Sequence, residues 1–196
     1  MQELELLSKI VEFEAQRQTS LLKIREELVK RRVDAQSLRV RPVFLTPAFE
    51  KTACKIVKEC MKTGGEVWGI KLNGFGGLLK RELNPGTRLG TELARRASAW
   101  GGVGGLFHSD ELPSYGITKD EKEAALKMAG TEPTDALVIV ADRHEKCMEA
   151  LNAVIERAIE CLSGVPAETR APNPDGATRY MRPRPGAARM YPATDV

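Results

Sequence analysis

The chain has 196 residues, 42% hydrophobic and 29% charged, ordinary globular values that exclude wholesale disorder. Its longest apolar run, Ala136–Ala141, is too short for a transmembrane helix, and no basic stretch followed by a long apolar segment opens the chain to support secretion. Four cysteines without a CxxC point to a reducing cytoplasm rather than a disulfide framework, and the net charge of +3 is small.

Glu3–Arg32 contains no Pro or Gly and reads as one long helix, with Ile10, Phe13, Leu21, Ile24 and Leu28 at three-or-four spacing. Arg17 interrupts that stripe. A helix this long and thinly apolar is expected to lie across another body or to act as a strut. Leu38–Leu45 reads as a strand, ended by Thr46-Pro47, where Thr46 is placed to cap a helix running to Thr63. Glu66–Leu72 is the next strand. Asn73–Gly77 supplies turn chemistry, and Leu78–Leu83 is expected to return as its hairpin partner.

Leu89–Trp100 follows as a helix, then Gly101–Gly105 breaks the chain before a short strand at Leu106–His108. Thr118 and Glu121 form a capping box that opens a helix from Lys119 to Ala129. Ala136–Ala141 is apolar throughout, hence a central, covered strand. Arg143–Leu162 is the clearest helix, seamed by Cys147, Leu151, Val154, Ala158 and Leu162. Residues 165–196 lose all helical period and mix proline with five arginines and two tyrosines, which reads as a linker or an extended arm.

The expected architecture is therefore α+β: two layers, a mostly antiparallel sheet covered by helices, with a long N-terminal helix and an extended Arg/Pro-rich C-terminal arm. Three regions are expected: 1–34 as strut, 35–164 as the domain proper, and 165–196 as the arm. Both ends are expected to pack poorly or to be held from outside, as in a piece of a longer protein.

Charge divides unevenly among these regions. Residues 1–34 are neutral, 35–118 carry +5, 119–164 carry −4 and 165–196 carry +2. The middle and the tail are where a polyanion such as RNA would dock. An RNA face would draw on Arg39, Arg41, Lys71, Lys80, Arg81, Arg88, Arg95 and Arg96. A solvated face accounts for such charge as well.

Asn73–Gly77 lacks the helix that a dinucleotide fingerprint needs after its glycines, so a turn is the better reading. His108-Ser109-Asp110 has the residue types of a hydrolase triad, but sequence neighbours do not adopt nucleophile–base–orienter geometry. Polar recognition by that loop remains open. His144 and Cys147 do not converge with further ligands, so no metal site and no catalytic residue are assigned. In the tail, Arg170, Arg179, Arg182, Arg184 and Arg189 alternate with Tyr180 and Tyr191, a composition suited to phosphate and base contacts.

Four longer strings carry more. Gly74–Leu79 (GFGGLL), Arg81–Glu92 (RELNPGTRLGTE), Gly101–Gly116 (GGVGGLFHSDELPSYG) and Arg170–Asp195 (RAPNPDGATRYMRPRPGAARMYPATD) resemble the E subunit of the archaeal glutamyl-tRNA(Gln) amidotransferase. Residues 38–162 resemble its insertion domain, shared with bacterial aspartyl-tRNA synthetase. The resemblance implies part of a cytoplasmic, ATP-dependent ligase that converts Glu-tRNA(Gln) to Gln-tRNA(Gln). ATP and magnesium would act in the full-length protein, none being expected in this stretch, and an asparaginase-like D subunit would release ammonia. It further implies that Arg182, Arg189 and Asp195 lie near the ATP or acceptor-end site, since Arg189, Tyr191, Pro192 and Asp195 echo a pattern of the related B subunit. The stretch is expected to engage tRNA and to be inactive alone. The alternative is a structural or subunit-contact module that touches no RNA.

Overall fold

A computed structural model describes residues 2–184. The long helix α1 runs Gln2–Lys30, followed by a one-turn helix α2, Ala35–Leu38. Its three-or-four spacing buries Leu21, Ile24 and Leu28 completely, so the C-terminal half of α1 is part of the core rather than a free strut.

The main sheet has four antiparallel strands in the order β1 (Val43–Phe44), β2 (Glu66–Leu72), β6 (Ala136–Asp142), β5 (Phe107–His108). β2 and β6 pair along their full lengths, from Glu66 opposite Asp142 to Leu72 opposite Ala136. Both edge strands are two residues long, which limits the edge open to further pairing. Side chains alternate across the sheet and both faces are covered. Ile70, Leu72, Val138 and Val140 pack with α1, α4 (Leu89–Gly101) and α6 (His144–Ser163). Val67, Leu137 and Ile139 pack on the other side with Phe49, Val57 of α3 (Lys55–Lys62) and Ala125 of α5 (Lys119–Met128). The α+β class and the antiparallel sheet under helices are thus present, with the helices divided between the two faces.

The Thr118 capping box forms as its spacing predicts: Thr118 Oγ1 accepts from Glu121 N–H at 3.2 Å, and the Glu121 carboxylate accepts from Thr118 N–H at 2.7 Å. Three segments depart from the sequence reading. Leu38–Leu45 is mostly not a strand, because Leu38 closes α2 and only Val43–Phe44 pair. Thr46 caps no long helix. Its hydroxyl accepts from Val67 N–H at 2.9 Å, and Thr46–Phe49 is a 3₁₀ turn separated from α3.

Leu78–Leu83 does not pair with β2. Leu78 and Leu79 drop into the core, and only Glu82–Asn84 (β3) is extended, in a small hairpin with Thr87–Arg88 (β4). The arm is extended as expected, but it is not left unpacked. Through residue 184 it folds back as a second hairpin, β7 (Glu168–Pro172) against β8 (Thr178–Pro183), docked on α4 and α1.

Candidate functional site

The hairpin β7–β8 is held by charge. Arg17, the residue that breaks the apolar stripe of α1, is 1% exposed and reaches Glu92 of α4, Glu14 of its own helix at 2.8 Å, and Glu168 of β7 at 3.0 Å. Arg157 of α6, equally buried, donates to Glu92 at 2.9 Å. Arg96 of α4 bridges Glu160 of α6 at 3.0 Å and Glu168 at 2.8 Å, and its guanidinium lies 4.1 Å above the Tyr180 ring. Arg170 pairs with Glu168 and stands 3.2 Å from Glu92.

Four arginines therefore face four glutamates (14, 92, 160 and 168) at the meeting of α1, α4, α6, β7 and β8. Thr178 completes the junction, donating its hydroxyl to Glu14 at 2.8 Å and accepting from Arg170 Nε at 2.7 Å. Burial alone would push Glu92 up. The hydrogen bond from Arg17 and the charges of Arg17, Arg157 and Arg170 outweigh it and hold Glu92 at about 2. Burial works against the charge of both arginines, yet Glu92, Glu14 and Glu168 keep Arg17, and Cys161, Glu92 and Glu168 keep Arg157, above the ordinary arginine value. Only about 10 Å³ is left open among these groups, too little for a ligand. The junction is a fastening, not a binding site.

The loop Asn73–Gly77 is fastened as fully. Gly77 and Leu79 N–H each donate to Asp110 at 2.9 Å, and Gly74 N–H donates to Asp135 at 2.9 Å. Arg31 donates to the Gly74 and Gly76 carbonyls at 2.7 and 2.8 Å. Its amides are committed to the protein and no phosphate cradle remains. Ser109 Oγ accepts from Leu137 N–H at 3.0 Å, so Ser109 and Asp110 are both structural.

His108 is different. It is 5% exposed, its Nδ1 has no hydrogen-bond partner, and its Nε2 stands 3.6 Å from Glu111, too far for a hydrogen bond. It lines an open cleft of about 550 Å³ with Arg88, Gly90, Thr91, Glu111 and Tyr115. Burial pushes its imidazole below the ordinary range, against the opposing pull of Glu111 and Asp110.

Of the residues proposed for an RNA face, Lys80, Arg81 and Arg88 are exposed and adjacent: Leu89 N–H donates to Arg81 O at 3.0 Å, and β4 returns Arg88 beside Glu82. Arg41 is exposed elsewhere. Arg39 is paired with Glu156 at 3.2 Å, and Lys71 donates to Gly130 O at 3.1 Å. Arg95 donates to Thr178 O at 3.3 Å. Arg96 is a correction: counting charge places it on an exposed face, and its burial between Glu160 and Glu168 removes it. Arg182 is exposed on β8, while Arg189 and Asp195 lie outside the described residues.

The cysteines are unpaired and three of the four are buried. His144 bonds Glu66 at 3.2 Å and packs on Trp68. Among the described residues no group of three or more His, Cys, Asp or Glu is placed to hold a metal ion, and no helix is long and apolar enough to cross a membrane.

Comparison with known proteins gives these features a family context. Residues 57–151 match the GAD domain. Along its whole length the chain is similar to the E subunit of glutamyl-tRNA(Gln) amidotransferase from several archaea: 50% identical to that of Pyrococcus furiosus, 49% to that of Methanocaldococcus jannaschii and 47% to that of Aeropyrum pernix. The chain spans about a third of the length of these relatives, 31% in each case. The resemblance read from the four sequence strings thus extends from one end of the chain to the other.

Proposed function

We propose that this chain is the GAD-containing section of a tRNA-dependent amidotransferase subunit, and that it engages the tRNA rather than performing the chemistry. The carrying observation is the similarity of 47–50% over the entire chain to proteins named as the E subunit of glutamyl-tRNA(Gln) amidotransferase. On this reading the whole protein works in the cytoplasm, with ammonia released by an asparaginase-like D subunit. ATP, with magnesium, supplies the phosphoryl group that turns the γ-carboxylate of Glu-tRNA(Gln) into an acyl phosphate open to ammonia. No step of phosphoryl transfer is assigned to the described residues. Arg182 on β8, with Arg189 and Asp195 beyond it, is proposed to extend toward the ATP or acceptor-end site.

The RNA face is proposed around Lys80, Arg81 and Arg88, unburied cations at one hairpin. Phosphate contacts release counterions, so affinity for tRNA(Gln) should fall steeply between low and moderate salt. Lys80→Glu with Arg81→Glu should weaken binding and flatten the salt slope. Unchanged affinity at low salt would remove this face. A second reading, a subunit-contact module, is favoured by the exposed apolar side chains Leu7, Val11 and Val29 on α1. That reading predicts no salt-dependent tRNA binding at all.

A further inference from the structure

We propose that the His108 cleft is a nucleotide subsite, in which a base lies on Tyr115 with its polar edge toward Glu111 and His108 Nε2 while its phosphate meets Arg88. The tRNA reading above supplies one source for that nucleotide, but the chemistry of the cleft stands independently of it.

A stacking surface is present. Tyr115 is 62% exposed, and its ring leans on Phe107 with centroids 5.8 Å apart. Phe107 is buried in the sheet, so Tyr115 has a fixed support beneath it. Its backbone sits at φ +56°, a left-handed conformation unusual for a tyrosine. Every base offers a π-face to such a ring.

The polar wall has capacity to spare. His108 Nε2 stands 3.6 Å from Glu111 without a hydrogen bond, while Nδ1 is enclosed and out of a ligand's reach. Gly90, at the start of α4, is why the ring edge is accessible: a Cβ there would stand 2.5 Å from His108 Nε2. The neutral imidazole offers one donor and one acceptor. Glu111 accepts only, here from Tyr115 Oη at 3.4 Å. An acceptor beside a neutral imidazole suits a base edge that carries an N–H or amine donor, which every base has.

Charge is available at the rim. Arg88 is exposed and its guanidinium is free to take a phosphate. Glu82, opposite it on the hairpin, is occupied by Gly86 N–H at 3.0 Å.

The test follows the His108 and Tyr115 ring resonances of the full chain while AMP, CMP, UMP or ribose 5-phosphate is added. AMP, CMP and UMP should shift both rings saturably, with ribose 5-phosphate weaker. Tyr115→Ala and Arg88→Ala should each weaken AMP about tenfold, the scale of one stacking or phosphate contact. Both positions are exposed, so folding is preserved, and Lys62→Ala on α3 serves as a remote control without effect.

Adding tRNA(Gln) transcript distinguishes the sources. Displacement of AMP, together with weaker tRNA binding by Tyr115→Ala, assigns the subsite to an RNA nucleotide. AMP binding untouched by tRNA assigns it to a free nucleotide. A weakening of tRNA binding by Tyr115→Ala alone supports the RNA form. No ring shift with any nucleotide and unchanged tRNA affinity in both variants overturns the proposal. Failure of the wild-type chain to bind tRNA would defeat the function proposed above while leaving AMP binding as a separate result.

Discussion

The ionic junction and the His108 cleft share one short helix, α4, and both bury polar groups. At the junction Glu92 and Glu168 each meet at least two arginines, and almost no space is left. At the cleft a buried imidazole keeps Nε2 without a hydrogen bond, 3.6 Å from Glu111, beside about 550 Å³ of open space. Saturated burial of charge fixes geometry. Unsaturated burial of a polar group leaves interaction capacity for something outside the chain. The same helix thus anchors the C-terminal hairpin at Glu92 and Arg96, while Gly90 and Thr91, with Arg88 just before them, line the cleft.

The contrast can be broken most forcefully at Glu92. Glu92→Ala leaves Arg17 and Arg157 buried without their shared acceptor, and is expected to destabilise the fold by about 3–5 kcal/mol in denaturant melts. Hairpin amides around Glu168–Pro172 should lose hydrogen-exchange protection first. A loss below about 1 kcal/mol would show that the junction contributes little to holding the arm.

Acid acts on the same group more gently. Glu92 is held at about 2 in the folded chain, against 4.5 for the free side chain. Its contribution is therefore present above about pH 4.5 and is lost as pH falls toward 2. The linked loss is roughly 3 kcal/mol at about 1.36 kcal/mol per pKa unit. A stability profile flat from about pH 5 to about pH 2.5 would contradict the pairing.

Asp110 tests the fastening between the two regions. Asp110→Ala removes the acceptor of Gly77 and Leu79 N–H and should cost about 1–3 kcal/mol. Asp110→Asn should recover part of that loss, since one amide oxygen remains. At the cleft the expectation reverses: Tyr115→Ala should change stability by no more than about 0.5 kcal/mol, because the side chain is mostly exposed. A much larger loss would make Tyr115 a structural residue.

Sequence periodicity reveals the elements whose burial follows a regular pattern: α1, β2, α5 with its capping box, the apolar β6, and α6. It fails where tertiary hydrogen bonds decide. Leu78 and Leu79 lie in a stretch that alternates as a strand would, yet Asp110, far along the chain, draws their loop into a turn. Thr46 has the chemistry of a cap, but its hydroxyl is taken by Val67 of the adjacent strand.

The junction is half legible. Arg17 shows as an interruption of an apolar stripe, whereas Arg157 beside the seam of α6 carries no such mark. Their shared partner Glu92 is separated from them by 75 and 65 residues, which no local pattern shows. Charge counting likewise draws Arg96 onto the surface because it ignores pairing. The cleft leaves only Gly90 and the polar loop after β5 as signals, and neither is specific.

A chain that meets RNA along the β3–β4 hairpin and the His108 cleft should carry the footprint of that contact in its amides. Hydrogen exchange of the chain with and without tRNA(Gln) at low salt reads it most directly. New protection confined to residues 78–91 and 106–117, lost as salt is raised, is the expected result. Protection on α6 alone, or no change anywhere in a chain that remains folded, would contradict it.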